Sequence, residues 1–531
     1  MWFLLWFILS APFIFLLYIE IKNFRALKLV NKFPGPPSLP IIGNAHLMET
    51  TPRTVFNQLF QWWIEYGRRN YRVLIGPFQN IMITEAKDVE FILNSKELID
   101  KSDIYDMLRP WLGDGLVTTT GRKWYTHRKM ITPSFHFKIL QNFYEIMNKC
   151  SDKFMEKLTE ASQGDSIFDF QSMTQYLTLD VITDTAMGVQ INAMDNTEDK
   201  IVTAFKEMCS NINMRIYNPW KRSNFFYRFS PDYPQFQRTL KLIEDFTNDV
   251  IAKRIAKRKQ EGNQDLIKEE DDISSKRKLA FLDTLLSATI DGRPLTQHEI
   301  YDEVSTFIFE GHDTTNSGIC FTIYLLSIFP EIQKKVYAEQ LNILGDNIKG
   351  KPTYQQISEM QYLDMVIKEN LRIYPSVPMI ARCADKDYNM NGYVVPKGAS
   401  LNIFLMTLGY NEKYFSDPHR MYPERWSSDK RTKQNPFEYV PFSAGLRNCI
   451  GQKYALLEMK AVVSKMVRTF EILPPLDELV SKDGCIPHLM NLPAEEQKRR
   501  SPNPSKYVPK LEAVLTLKSE NGIWLRLRKR N

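Results

Sequence analysis

The chain opens on an unbroken apolar run, Trp2 to Ile19, eighteen residues without a charge. At about 1.5 Å per residue a helix there reaches roughly 27 Å, close to the hydrocarbon thickness of a thin membrane. Basic residues follow the run (Lys22, Arg25, Lys28, Lys32), and neither a basic leader nor a clear small-residue cleavage site accompanies it. The pattern predicts an uncleaved anchor over residues 1–21, with the bulk of the chain on the cytosolic side. Phe33-Pro34-Gly35-Pro36-Pro37 comes next. Proline fixes φ and stiffens the backbone, so residues 22–40 read as a semi-rigid hinge before a folded part over 41–531.

Inside the folded part, short apolar runs at Tyr71–Ile75 and Asn80–Thr84, separated by Gly76-Pro77, predict a hairpin. Asp88 to Ser95 has a helical period, Leu108 to Thr120 has none and reads as a loop, and Leu140 to Ile255 is mainly helical. Thr296 to Ile328 is free of proline and long enough to cross a whole domain as one helix. Ser376 to Arg382 reads as extended, and Asn391 to Gly398 as turn, strand, turn. Near the end, alternating runs from Leu515 and Ile523 meet at Asn521-Gly522, a hairpin signal. Two stretches resist a fold: charge-dense Gly262 to Lys278, read as an exposed connector, and residues 474–506, rich in charge and proline and read as a flexible insertion. The fold class is mainly α with small β-sheets.

Composition narrows the class. With 43% hydrophobic and 12% aromatic residues the chain can bury a large core. Its net charge of +7, from 69 basic and 62 acidic residues, is too slight for a nucleic-acid binder and suits an anionic membrane surface or an acidic partner. Six scattered cysteines argue for a reducing compartment and against a disulfide framework. Cys485-x-x-His488 has no second pair near it, so it does not read as a zinc site.

One cysteine stands in a different context. Phe442-Ser-Ala-Gly445-Leu-Arg447-Asn-Cys449-Ile-Gly451 sets a lone thiol between two glycines, ahead of a helix-like run from Gln452 to Met466. Both glycines would permit a tight loop that something bulky can approach. A helix N-terminus aimed at the sulfur favours thiolate, and a thiolate so held is a good axial ligand for haem iron. Arg447 would then face a haem propionate, and Phe442 would shield the sulfur. The bland alternative is an ordinary buried cysteine.

FSAGLRNCIG resembles, at every fixed position, the F-x-x-G-x-R-x-C-x-G haem-thiolate signature of the cytochrome P-450 superfamily. The resemblance extends over nearly all of residues 33–531 and implies the cytochrome P-450 fold with haem b (iron protoporphyrin IX) as cofactor. It gives roles to motifs that say little alone. Trp124 and Arg128, four apart on one helix face, would contact a propionate, as would Arg382. Glu369 and Arg372, at i and i+3 and eighty residues before Cys449, would form a buried network with Arg425; Trp426, where the family has Phe, is a departure without evident consequence. Leu116, Val117, Val377 and Ile380 would line the substrate side.

In the long helix, Glu310-Gly311-His312-Asp313-Thr314-Thr315 places an acid and an alcohol side by side. Threonine can bond back to the carbonyl one turn earlier and loosen the helix. Asp313 and Thr314 suit proton delivery to a buried reaction centre, Thr314 positioning water and Asp313 supplying protons from the other side. Glutamate at position 310 is similar to family 4, the fatty-acid ω-hydroxylase group, in many of whose members it is ester-linked to a haem methyl; for Glu310 that bond stays open. The resemblance implies a monooxygenase at the endoplasmic reticulum membrane. Its electrons would come from NADPH–cytochrome P-450 reductase, or cytochrome b5, docking on a basic face near Lys453 and Arg447. The substrate would be a lipophile such as a fatty acid, related lipid, hormone or foreign compound, with no nucleic acid involved. A gas-sensing haem protein, a hydroperoxide isomerase and a scaffold with an idle cysteine are the competing readings, and the acid–alcohol pair speaks against the first two.

Overall fold

The proline-free stretch folds as one helix, Gln297–Ile328, and the other elements are laid around it. Its start is fixed by a reciprocal cap: the Glu299 N–H donates to the Thr296 hydroxyl, and the Thr296 N–H donates to the Glu299 carboxylate. Arg293 grips that carboxylate at two points, 2.8 Å each, and holds it down to about 2. Most side chains from Ile300 to Ile328 are buried. A helix covered on every side belongs in the core.

In this computed structural model the described residues are 21–198, 200–265, 280–427, 435–486 and 506–530. Helices Phe170–Thr185, Gln361–Ile373 and Gln452–Thr469 pack against the long helix. Gly311 is what lets Phe170–Thr185 approach: a Cβ there would meet Ile182 Cδ1 at 2.5 Å. The glycine inside Glu310–Thr315 thus has a packing reason besides any chemical one.

The hairpin expected near residue 71 forms, Tyr71–Ile75 pairing antiparallel with Phe78–Ile83. Ser400–Phe404 joins it in parallel and Met379–Cys383 closes the sheet. Val73 and Met82 face the helical core while Leu74, Ile81 and Ile83 fill a second apolar cluster, the alternation of strands covered on both faces. The loop expected over Leu108 to Thr120 contains one helical turn, Arg109–Leu112.

The C-terminal hairpin differs from its expectation. Thr516–Ser519 pairs with Leu511–Val514, turning at Leu515 with φ 77°. Trp524–Lys529 pairs instead with Phe470–Leu473 and Phe168–Asp169. Asn521-Gly522 does make a turn, but it docks the chain onto another helix: the Ile523 N–H donates to Asp169 Oδ1 at 3.0 Å, and the Phe170 N–H to the Ile523 carbonyl at 2.7 Å. Alternation identifies a strand; burial elsewhere chooses its partner.

Among the described residues no helix is long and apolar enough to cross a membrane. Residues 1–20 of the expected anchor, 266–278 of the charged connector and 487–505 of the expected insertion lie outside the described residues. The connector's first residues finish the helix Tyr233–Asp265. The insertion starts with the turn Asp477–Leu479 and a bridge between Cys485 and Arg420.

Candidate active site

The cysteine loop is held from three directions. Gly445 takes φ 67°, and a Cβ there would strike the Leu93 carbonyl, so this glycine is required. Gly451 has an ordinary φ of −89°; there the expected conformational need is absent, and an added Cβ would meet only Cys449 Sγ, 3.9 Å away. The Cys449 N–H donates to the Phe442 carbonyl at 2.9 Å. Arg128 donates to the Asn448 carbonyl and Oδ1 at 2.8 and 2.7 Å, fastening helix Gly121–Ile131 to the residue before the cysteine.

Cys449 opens onto an internal cavity of about 350 Å³ lined mainly by apolar side chains. Its surface is accessible through that cavity, yet the surroundings are dry enough that desolvation pushes the thiol up to about 11, with the Gly451 N–H and Arg128 pulling the other way. Burial opposes the thiolate expected at a helix start, and a cation bonded to the sulfur would favour it.

Leu116, Val117, Val377 and Ile380 line the same cavity, as do Trp124, Phe442 and Glu310. Five cations border it: Lys101, Arg128, Arg222, Arg382 and Arg447. Arg222 pairs with Asp103 at 2.8 Å; the other four make no ion pair with a described carboxylate. Arg447 donates to the carbonyls of Ile99, Leu116 and Thr119 at 3.1, 3.3 and 2.7 Å and stacks 4.2 Å over the Trp124 ring. Arg382 donates to the Ala381 carbonyl at 3.0 Å. Burial and mutual repulsion hold Arg447 down to about 10 and Lys101 well below the usual lysine range. A cluster of like charges turned into a dry cavity is a site for an anion. Arg447 points into the cavity, and Lys453, expected with the neighbourhood of Arg447 on a docking face, is exposed.

On the long helix the acid and the alcohol diverge. Thr314 lines the cavity, and its hydroxyl donates to the Glu310 carbonyl at 2.7 Å, the back-bond the sequence suggested. Asp313 faces away. Burial opposes its charge, but Lys518 and the Thr516 hydroxyl hold it below the usual carboxylate range. The Glu310 carboxyl, pushed up to about 7 by burial, turns into the cavity.

The arginine–carboxylate network assembles as expected. Arg372 donates to both Glu369 oxygens at 3.0 and 2.9 Å, and Arg425 to Oε1 at 2.9 Å. Trp426 is the correction: its indole N–H donates to Glu369 Oε2 at 2.8 Å. A phenylalanine has no such donor, so the departure has a structural use.

Residues 33–495 match the family model described as Cytochrome P450. The chain belongs to the cytochrome P450 family. It is 54% identical over 532 residues to Cytochrome P450 4e2 of Drosophila melanogaster, covering all of both chains. It is 52% identical over 536 residues to Cytochrome P450 4e5, mitochondrial, of Drosophila mettleri, covering 99% of this chain and 100% of that one. To Cytochrome P450 4d1 of Drosophila melanogaster it is 38% identical over 469 residues, 87% of this chain and 92% of the relative. As a cytochrome P450 it is a monooxygenase of a haem-carrying family.

The cavity fits a haem. Cys449 offers the sulfur for the iron, and Lys101, Arg128, Arg382 and Arg447, none of them ion-paired with a described carboxylate, offer positive charge to two propionates. Lys101, Lys518 and Thr516 carried no sequence signal, because the first sits in an irregular stretch and the others in a strand two hundred residues beyond their partner. Trp426 was visible as a departure, and the clue was its indole donor.

Proposed function

We propose that this cytochrome P450 inserts one oxygen atom of O₂ into a C–H bond of a long lipophilic substrate, hydroxylating fatty acids or related lipids near the chain end. The observation that carries the reading is the single cavity shared by Cys449 and the apolar side chains Leu116, Val117, Val377 and Ile380. Bound haem, its iron on the Cys449 sulfur, supplies the oxygen-activating chemistry. The apolar wall holds the substrate chain and keeps water out. Thr314, its own proton engaged by the Glu310 carbonyl, presents oxygen lone pairs that can hold a water. Asp313 is the proton source behind it. The Glu310 carboxyl, with no hydrogen-bond partner among the described residues, is placed to form an ester with the haem edge, which would pin the cofactor and favour attack at a chain terminus.

Helix Gly121–Ile131 exposes Arg122, Tyr125 and Lys129 while its other face holds the cysteine loop. With Lys453, this basic face suits an acidic electron donor such as NADPH–cytochrome P450 reductase or cytochrome b5. Exposed Trp220, Phe225, Phe226 and Phe229 touch one another, with ring centroids 5.4–6.0 Å apart. That aromatic cluster supports a membrane-seated enzyme, in our reading at the endoplasmic reticulum through residues 1–21.

The test is the reduced, CO-treated protein followed by turnover. A thiolate-type Soret band that C449S loses, and terminally hydroxylated products from a labelled fatty-acid mixture with reductase and NADPH, are the expected results. A band that survives C449S, or lipids returned unchanged by fully reducible enzyme, would sink the reading. Acid extraction checks the ester: haem stays with the wild-type chain and leaves E310A.

A further inference from the structure

Asp313 has no opening onto the cavity of its own. Its carboxylate faces the C-terminal hairpin, where Lys518 Nζ lies 2.6 Å from Oδ1 and the Thr516 hydroxyl donates to Oδ2, also at 2.6 Å. All three residues are buried. Thr314 is next to Asp313 in sequence, but adjacent helix residues point about 100° apart, and its proton goes to the Glu310 carbonyl. Among the described residues Thr516 alone touches both sides, bonding Asp313 and lining the cavity.

We propose that Thr516 is the hydroxyl that joins Asp313 to the cavity, and that Lys518, Asp313 and Thr516 together deliver the protons the monooxygenase reaction consumes. The proposal rests on the reading of Asp313 as the proton source.

The hairpin is built to hold this line. Ser317 of the long helix donates to the Leu517 carbonyl at 2.6 Å, and the Leu517 N–H donates to the Ser376 carbonyl at 2.9 Å. Thr516 is therefore fixed between the helix and the wall that carries Val377. Supply comes along the same strands. Glu512 stands directly opposite Lys518 in the ladder, within side-chain reach, and is only half-buried, in the field of Lys206 and Arg53. The other groups facing the pair are Cys209, a thiol that burial keeps protonated, and His312, which burial keeps neutral. Neither competes for the charge.

The proton count balances. Lys518 gives a proton to the Asp313 carboxylate and becomes a neutral amine. The Thr516 hydroxyl, which at rest donates to Oδ2, rotates toward water in the cavity, and the Asp313 carboxyl turns the new proton toward Thr516 Oγ1. Oγ1 takes that proton as it releases its own to the water, which leaves the Thr516 hydroxyl again directed at Asp313, and reprotonation of Lys518 by way of Glu512 restores the start. Only N–H and O–H bonds change, and no electron moves along the line. At rest the pair is ionised, so protons stay on Lys518 until negative charge builds in the cavity.

The test uses the full-length haem-loaded enzyme with reductase. In T516V, hydroxylated product per NADPH falls at least tenfold, the missing electrons appear as hydrogen peroxide, and the solvent isotope effect on product formation rises; T516S recovers to within twofold of wild type. A second readout needs no turnover. In K518M, Asp313 turns neutral and shows a carboxylic-acid infrared band that the D313N/K518M protein lacks. That band shifts on mixing with D₂O, at least tenfold more slowly once T516V is added. Full coupling in T516V, no recovery in T516S, or an unchanged exchange rate would overturn the relay. If D313N itself leaves coupling intact, the reading of Asp313 as proton source falls; if D313N uncouples and T516V does not, only the relay falls.

Discussion

Two buried carboxylates, Glu369 and Asp313, show how differently one charge can be housed. Glu369 accepts from two arginines, the Trp426 indole and the Tyr422 N–H, all between 2.8 and 3.0 Å. Asp313 has one lysine and one hydroxyl. Both carboxyls sit below their usual range because their cations outweigh the cost of burial. The first is over-determined, and any one partner could weaken without releasing the charge. The second keeps its charge by a single cation, which suits the proton transfer proposed for it.

Removing each acceptor or donor tests that difference. The largest expected loss is E369A, which strands Arg372, Arg425 and Trp426 in the interior. At about 5 kcal/mol or more it rivals the whole stability of a domain, and it should show as loss of soluble haem-loaded protein. K518M comes second, at about 3–5 kcal/mol near pH 8, and its sign with pH is diagnostic. In wild type the depressed Asp313 pKa adds stability above the ordinary aspartate range and loses it as pH falls. Without Lys518, burial alone raises that pKa, so stability is retained at low pH and lost as pH rises. Melting curves from pH 5 to 8 should therefore stay level at this group in wild type, whose loss comes only below about pH 4, and fall with rising pH in K518M.

W426F removes one donor of several and should cost about 1.5–3 kcal/mol in thermal unfolding; a loss as large as that of E369A would show that the network has no redundancy. The smallest effect belongs to Glu458, a third buried carboxyl, which pairs with no described cation and which burial pushes well above the usual range. Its raised pKa adds stability at low pH that is lost as pH rises, so E458Q should melt a few degrees higher (~2–4 °C) at pH 8 and nearly the same at pH 4.

What the sequence disclosed was local. Arg372 three residues after Glu369, Arg128 four after Trp124 and the cysteine loop are patterns within one turn or one loop, where spacing dictates who shares a face. Lys518 and Thr516 could not be read that way. They reach Asp313 only because Thr516–Ser519 pairs with Leu511–Val514 and lies on the long helix, a choice made by burial across the whole chain. The expected joining of the Leu515 and Ile523 runs failed for the same reason. At Cys449 helix polarity favours the thiolate and desolvation opposes it, so a bonded cation would tip the balance.

The bond from Arg128 to the Asn448 carbonyl makes helix Gly121–Ile131 a lever. Whatever protein leans on Arg122, Tyr125 and Lys129 presses on a rod whose far side is bolted one residue from the sulfur. The force of the proposed docking would then travel about 10 Å, the width of a helix, to the atom proposed to hold the iron.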